Sequence, residues 1–309
     1  FHILPVFIGP PIKFGIIGPM EWIQGVGMRE GAQLAADEIN EAGGILGRKV
    51  VVVTGDEGSV PARGTAEMER LCDVEKVQFV LGGFRTEICD PMREVAVGYK
   101  TLFAICGSAT PWLIDCISTQ WGPHEFPCGH CVRCDYENYK YLFRMTPTNT
   151  DILFTNFLVP YIKTHLIPNV LNPGLGIKTI KVACVIEALD WTADLRKAID
   201  AVGPLFFGPF QSEIVSIVDT HLYYGVSPLT TDFTPILADM EEKGAQLIFE
   251  VFSGEEGLAF IKQLKDLSGS GPGKLKAVPV GINVLSQMSE MWGWTAGGCE
   301  YEAFLATMG

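Results

Sequence analysis

Polar and aromatic side chains stand where several short apolar runs of this 309-residue sequence end. Trp22 follows the first run, Arg85 and Thr86 follow the third, and Ser108 and Ala109 follow the fourth. Hydroxyls, loop amides and a guanidinium can hydrogen-bond the polar end of a small molecule, while an aromatic ring packs on its apolar part. A lone tryptophan or serine is more often a packing residue, so it is the whole set that predicts a ligand site.

The later half of the chain offers a second set of candidate ligand-binding residues. Trp191, the pair Phe252 and Ser253, and Asn283 follow three further apolar runs. Open parallel sheets bind ligands beyond the carboxyl ends of their strands, so these residues become neighbours if the runs are parallel strands. We therefore expect a small-molecule site with polar and aromatic residues from both halves of the chain.

Nucleotide and catalytic motifs are not found in the sequence. The glycine-rich segment 43–47 follows a helical pattern and precedes a strand, whereas a phosphate cradle needs a strand first and a helix after it. None of the five histidines stands beside a nucleophile elbow of the G-x-S-x-G type. The sequence therefore predicts a binding protein without cofactor or catalytic residues, not an enzyme.

A cysteine-rich segment interrupts the first half of the chain. Cys116, Cys128, Cys131 and Cys134 include a C-x2-C-x2-C spacing, and the chain has nine cysteines in all. Such a run suits disulfides, a bound metal or free thiols, and we favour disulfides because no second metal-binding knuckle is present. Disulfides would place the protein outside the cytosol.

The charge of the chain excludes some classes of partner. Its net charge is −13, and its basic residues are spread singly among acids. Nucleic-acid binding requires clustered lysine and arginine, so DNA and RNA are not expected partners. No apolar stretch approaches the roughly 20 residues that span a bilayer, and no signal-peptide pattern opens the sequence.

Apolar runs alternate with segments of helical spacing along the chain. Strands are predicted at 13–17, 50–54, 79–82, 102–106, 179–186, 214–218, 247–252 and 278–281. Helices are predicted at 27–40, 61–72, 90–99, 152–165, 193–202, 233–243 and 257–267. This alternation is typical of βαβ units and parallel sheets. Two such series flank segment 141–149, so we predict an α/β fold of two doubly wound lobes. The first lobe is predicted at 1–145, with an insertion at 112–139, and the second at 146–309.

Several segments, taken in order, resemble the leucine/isoleucine/valine-binding protein family. The pattern is carried by GMREGAQLAADEINEAGGILGRKV (27–50), GSATP (107–111), YLFRMTPTNTD (141–151), IKVACVIEALDW (180–191), TDFTPILADMEEKGAQLIF (231–249) and VPVGIN (278–283). The resemblance implies the type I periplasmic binding protein fold, in which two lobes joined by a hinge close on a ligand. It also implies a protein at the periplasmic or extracellular face of the membrane, tethered to it or near it, which delivers its ligand to the permease of an ABC importer.

The resemblance also assigns roles to individual residues. Thr86, with Arg85 beside it, and the loop of Ser108 and Ala109 would hold a ligand carboxylate. Trp191 takes the position of the family's cleft aromatic. A second aromatic falls near Phe252 and Ser253, and Trp22 would form a wall beside the first strand.

Three departures from the family pattern matter for the ligand. Asn283 stands where amino-acid binders have the acid that pairs the ligand ammonium, and an amide cannot balance a buried cation. Either Glu187, Asp190 or Glu250 replaces that acid, or the ligand is not an α-amino acid. Arg85 would then pair the carboxylate of an organic or aromatic acid, while Asn283 suits an amide or a hydroxyl. The second departure is the cysteine-rich insertion. The third is length, since the C-terminal part that completes the first lobe is expected to be missing after Gly309. A receptor sensor domain with the same fold is the alternative function.

Overall fold

The structure is a computed structural model, and its description covers most of the chain. The described residues are 7–110, 113–114, 131–145, 159–171, 179–193, 195–196, 216–217, 222–227, 229–268, 276–300 and 302–304. The chain forms two compact units, Phe1–Asn149 and Thr150–Gly309. The lobe boundary at residue 145 stays a prediction.

The first unit is built on a parallel sheet of five strands in the order β2-β1-β3-β4-β5. Its strands are β1 Ile12–Gly18, β2 Val50–Asp56, β3 Phe79–Gly82, β4 Leu102–Ile105 and β5 Leu142–Arg144. Its helices are α1 Ile23–Glu41, α2 Pro61–Glu69, α3 Thr86–Gly98 and α4 Tyr136–Tyr139, and a π-helical turn, Arg70–Val74, continues α2.

Close packing at the strand ends of the first unit requires a glycine. Gly82 ends β3 with φ 127°, and a Cβ at this position would lie 1.9 Å from the carbonyl oxygen of Ile17. Only glycine adopts this backbone conformation readily and leaves room for the neighbouring strand. Met92 of α3 and Phe103 of β4 are fully buried in the core below. The core therefore fixes the carboxyl ends of β1, β3 and β4 at one edge of the sheet.

The second unit has its own parallel sheet, in the order β12-β11-β10-β7-β9. Its strands are β7 Val182–Glu187, β9 Leu222–Val226, β10 Leu247–Phe252, β11 Val278–Asn283 and β12 Ala303–Phe304, and β6 Thr179–Ile180 pairs separately with β8 Ser216–Ile217. Its helices are α5 Thr234–Lys243, α6 Glu255–Leu267 and α7 Met291–Trp294. Val159–Tyr161 forms a helical turn that continues as π-helical turns through Ile162–Leu171, and Asp190–Thr192 and Val284–Gln287 are 3-10 turns.

The central strands of the second sheet are buried on both faces. Every residue of β7 and β10 is buried. The rings of Phe233, Phe252 and Phe260 pack against one another with centroids 5.2–5.8 Å apart. Strands covered on both faces read as continuous apolar runs without alternation, which explains why their sequences could be recognised so readily.

The predicted α/β fold with parallel sheets in two units is confirmed. The structure adds β9, which the sequence reading missed, and it starts α3 at Thr86, four residues before the predicted helix at 90. Most of the helix predicted at 193–202 and the start of that predicted at 152–165 lie outside the described residues. Within the described part of the chain, no helix is long and apolar enough to cross a membrane.

The disulfides expected in the cysteine-rich segment are not shown by the structure. Cys116 and Cys128 lie outside the described residues, and Cys131 is buried. Elsewhere Cys72, Cys89, Cys106 and Cys299 are free thiols. The choice among disulfides, metal and thiols in this segment stays a prediction.

Candidate ligand-binding site

Three buried hydroxyl groups meet at the strand ends of the first unit. The Oγ1 atom of Thr86, the first residue of α3, lies 2.8 Å from the Oγ of Ser108 and 2.6 Å from the Oγ1 of Thr110. Three hydroxyls carry three protons, and two hydrogen bonds use two of them. One hydroxyl proton therefore remains to be donated to another acceptor, such as a carboxylate oxygen.

The loop that carries two of these hydroxyls is held from the next strand. Arg144, at the end of β5, donates from Nη1 to the carbonyl oxygen of Ser108 at 2.7 Å and from Nη2 to that of Thr110. Ala109 lies half-buried between the two. These bonds fix the loop before any ligand arrives, which lowers the entropic cost of binding.

Arg85 and Trp22 form the second element of the site in the first unit. The guanidinium carbon of Arg85 lies 4.7 Å from the centroid of the Trp22 ring, and the Nη1 atom lies 3.5 Å from the Oγ of Ser59. Trp22 also meets Phe84 edge to face at 6.5 Å between ring centroids. A guanidinium stacked on an aromatic face keeps its in-plane N–H groups directed outward, which suits a carboxylate.

Glu57 is a site residue that sequence reasoning missed. It follows β2 directly and is fully buried. One carboxylate oxygen accepts the backbone N–H of Ser59 at 2.5 Å, and the other has no hydrogen-bond partner among the described residues. Burial raises the pKa of this carboxyl to about 7 against the lowering effects of the Ser59 N–H and Arg85. The sequence could have indicated Glu57 as a candidate, because Asp56-Glu57 follows an apolar run just as Arg85 does.

In the second unit, Glu187 connects two of the predicted site residues. Its Oε2 atom, at the end of β7, accepts the indole N–H of Trp191 at 3.2 Å and the backbone N–H of Ser253 at 3.0 Å. All three residues are buried. The carboxylate therefore sets the position of Trp191 and of the backbone at the end of β10, and it is a positioning group.

Phe252 and Asn283 are fully buried, and their roles at a ligand stay predictions. The ring of Phe252 packs in the phenylalanine cluster of the core. Asn283 is also fully buried, and its amide lies over Gly257 of α6, where an added Cβ would come within 2.6 Å of the amide oxygen. The structure thus places Trp191 and Ser253 together, and it places Phe252 and Asn283 inside the second unit.

A pair of carboxyl groups lies beside Asn283. Glu250 is fully buried, and burial together with the nearby carboxyl of Glu302 raises its pKa well above the usual range. Burial also raises the pKa of Glu302, which accepts a hydrogen bond of 2.5 Å from the Ser286 hydroxyl. Two carboxyls in a dry environment cannot both ionise, so the pair retains a proton.

The described side chains do not suggest a metal centre. Within the described ranges, no group of three or more His, Cys, Asp or Glu side chains is placed to hold a metal ion. The described residues at the strand ends offer hydrogen bonding, the charges of Arg85 and Arg144, and aromatic packing.

Sequence comparisons relate the chain to a family of transport proteins. Residues 11–129 match the family model described as periplasmic binding protein. A Leu/Ile/Val-binding protein of Rhizobium johnstonii is 33% identical over 87 residues, which are 27% of this chain and 23% of that protein. A Leu/Ile/Val-binding protein homolog of Brucella abortus is 23% identical over 261 residues, which are 82% of this chain and 55% of that protein. Over these segments the chain is similar in sequence to leucine/isoleucine/valine-binding proteins.

Solved structures of other proteins share the fold of this chain. The substrate-binding protein LivJ of a branched-chain amino acid transporter from Streptococcus pneumoniae, in complex with isoleucine, has a TM-score of 0.61 at 19% identity, over 92% of this chain and 67% of that one. A solute-binding protein of an ABC transporter from R. palustris, in complex with 4-hydroxybenzoate, has a TM-score of 0.57 at 23% identity, over 88% of this chain and 61% of that one. The predicted type I periplasmic binding protein fold is confirmed.

The relatives are longer than the matched segments. The chain spans about half or less of the length of the two curated relatives. The matched family model and the curated relatives are described as binding proteins.

Proposed function

We propose that this chain is the ligand-binding part of an extracytoplasmic solute-binding protein that delivers a small carboxylate to an ABC importer. The observation that carries the proposal is the arrangement in the first unit, where Arg85 stacks on Trp22 and the Thr86 hydroxyl cluster retains one donor. A guanidinium and preorganised hydroxyls suit an anionic, hydrogen-bond-accepting group.

The second unit favours an organic acid over an α-amino acid. Asn283 is neutral and Glu250 retains a proton beside Glu302. Glu187 already accepts two N–H groups, and Asp190 is exposed. Of the acids proposed to replace the family's ammonium partner, none is therefore well placed to balance a buried cation. A carboxylate without an ammonium group avoids that cost.

The remaining predicted elements complete the proposal. Trp191 and Ser253, which Glu187 holds together, contribute contacts with the apolar part of the ligand, and the hinge closure implied by the resemblance accompanies binding. An importer permease is the partner, at the periplasmic or extracellular face of the membrane. Known ligands of structurally similar proteins, isoleucine and 4-hydroxybenzoate, define the first probes.

Calorimetry against a matched panel tests the proposal. The panel contains isoleucine, benzoate, 4-hydroxybenzoate and benzamide, the last having the shape of benzoate without its charge. We expect a carboxylate to bind and benzamide to bind much more weakly. Tight binding of isoleucine would show that the ligand is an amino acid and not an organic acid. No heat with any probe at millimolar concentration, for protein that unfolds cooperatively, would contradict the proposed function.

A further inference from the structure

Glu57 lies close to the strand ends that carry the proposed anion site. Since the sheet order is β2-β1-β3, Glu57 after β2, Trp22 after β1 and Arg85 after β3 occupy adjacent positions along one edge. Ser59 connects them directly. Its backbone N–H donates to Glu57, and its hydroxyl lies 3.5 Å from the guanidinium of Arg85. The carboxyl and the guanidinium are therefore parts of one local arrangement.

The loop is held in the conformation that makes this arrangement possible. Gly58 and Ser59 have φ values of 53° and 58°, so that a non-glycine residue occupies the left-handed region. This region is unfavourable for serine and persists where the surroundings impose it. It turns the Ser59 N–H back toward Glu57, whose other oxygen has no hydrogen-bond partner in the described part of the chain.

Asp56, the acidic residue before Glu57, has a cation of its own. The carboxylate of Asp56 pairs with Arg63 of α2 and accepts the backbone N–H groups of Met20 at 2.9 Å and Gly58 at 3.1 Å. Arg63 is thus the ion-pair partner of Asp56. This leaves Arg85 as the cation whose charge lowers the pKa of Glu57.

The groups that face Glu57 from α3 do not supply a second cation. Glu87 raises the pKa of Glu57, as does Asp56. Cys89 is a fully buried thiol whose own pKa is raised well above its usual value by burial, so it stays neutral. An anion placed on Arg85 would withdraw the charge that stabilises ionised Glu57 and would add a like charge near it.

We propose that the first unit takes up a carboxylate ligand at Arg85 together with one proton, which Glu57 holds. The proposal rests on the proposed function and specifies its substrate class: the site accepts an organic acid as an anion plus a proton, so that the net charge of the buried site does not change. Glu57 is then a residue that determines specificity for acids over amides. Glu57 accepts the hydrogen bond from the Ser59 N–H both when it is ionised and when it is protonated.

Proton uptake is measured by calorimetry of benzoate, or of whichever panel carboxylate binds more tightly, in two buffers of different ionisation enthalpy. We expect about one proton to be taken up per ligand at about pH 8, and the affinity to fall by up to about tenfold per pH unit above about pH 7. Benzamide should show neither effect. In Glu57→Gln the affinity for the carboxylate should be independent of pH between about 6 and 9, whereas Glu69→Gln, an exposed change on α2, should retain the pH dependence.

The outcomes separate this inference from the proposed function. A carboxylate that binds without proton uptake, or whose pH dependence survives in Glu57→Gln, overturns the inference and leaves the function in place. Binding of isoleucine but of no organic acid overturns the inference and leaves a solute-binding function with an amino acid as its ligand. Binding of benzamide but of no carboxylate overturns both the inference and the proposed carboxylate ligand. Failure of every probe overturns both. The two-buffer measurement on the unaltered chain remains decisive even if the Glu57→Gln variant does not fold.

Discussion

Glu57 in the first unit and Glu250 in the second are fully buried carboxyl groups with different neighbours. Burial raises the pKa of both. The backbone N–H of Ser59 and, to a smaller extent, the guanidinium of Arg85 limit the pKa of Glu57 to about 7, whereas the nearby carboxyl of Glu302 raises the pKa of Glu250 further. The first acid can therefore exchange a proton near neutral pH, and the second remains a neutral part of the core.

The same contrast extends to the surroundings of the two acids. The first unit places a guanidinium and a hydroxyl cluster at its strand ends, and the cluster has one proton still to donate. The second unit uses Glu187 to hold Trp191 and Ser253 and encloses Asn283 over a helix glycine. We therefore expect substitutions at the strand ends of the first unit to change affinity, and substitutions at Glu250 to change stability.

The largest effect is expected for Arg85→Ala. Loss of the buried guanidinium should weaken carboxylate binding by about 30- to 1000-fold, because truncation of one partner of a buried charge pair costs about 2–4 kcal/mol. Benzamide affinity should change much less. Arg29→Ala removes an arginine on the surface of α1 that lies 3.7 Å from Glu30, and it provides the control in calorimetry. Equal losses of affinity for benzoate and benzamide would show that Arg85 does not distinguish a charged ligand from a neutral one.

Trp191→Ala should weaken binding by about 1–3 kcal/mol if the indole packs on the ligand. Trp292→Ala, at an exposed position, should leave affinity unchanged. The two variants are compared by calorimetry with the same carboxylate. An unchanged affinity in Trp191→Ala would restrict the ligand contacts to the first unit and would sharpen the contrast between the units.

Glu250→Gln should stabilise the protein at alkaline pH and leave ligand affinity unchanged. The folded state raises the pKa of Glu250 well above its ordinary value, so folding takes up a proton and stability falls as the pH rises above that ordinary value. A neutral amide removes this dependence. We expect a gain of about 1–3 kcal/mol at about pH 8, and little gain near about pH 5. Thermal unfolding at the two pH values measures the difference; no change at either pH would contradict the proton-retaining pair.

Thr86→Val should have the smallest effect of the four. Removing the central hydroxyl leaves Ser108 and Thr110 without their common partner and should cost about 1–2 kcal/mol of carboxylate affinity. Thr86→Ser keeps the hydroxyl and should retain most of the binding. If both variants bind equally well, the hydroxyl cluster is structural and the contrast rests on Arg85 alone.

The parallel strands could be predicted from the sequence because they are buried on both faces. β10, with the sequence LIFEVF, reads as a continuous apolar run, and its predicted bounds agree with the structure. β9, with the sequence LYYGV, was missed because its two tyrosines and glycine give a weaker pattern. The start of α3 was placed too late because Thr86, Glu87 and Pro91 obscure its first turns.

The site could be predicted only in part, since burial depth does not follow from strand position alone. The rule that ligands bind at strand ends selected Arg85, Thr86 and Ser108, all of which follow strands of the first sheet. Applied to β10 and β11, the same rule selected Phe252 and Asn283, which stay predictions, and their burial against the helices of the second unit is something that no local pattern reveals. Glu57 was overlooked because carboxylates after a strand are usually solvated.

The bond network of Glu187 has a mechanical consequence for the second unit. One oxygen atom joins the tips of two neighbouring strands, β7 and β10, by accepting from a side chain after the first and from the main chain after the second. Loss of the Glu187 carboxylate would therefore release the Trp191 indole and the Ser253 backbone at the same time.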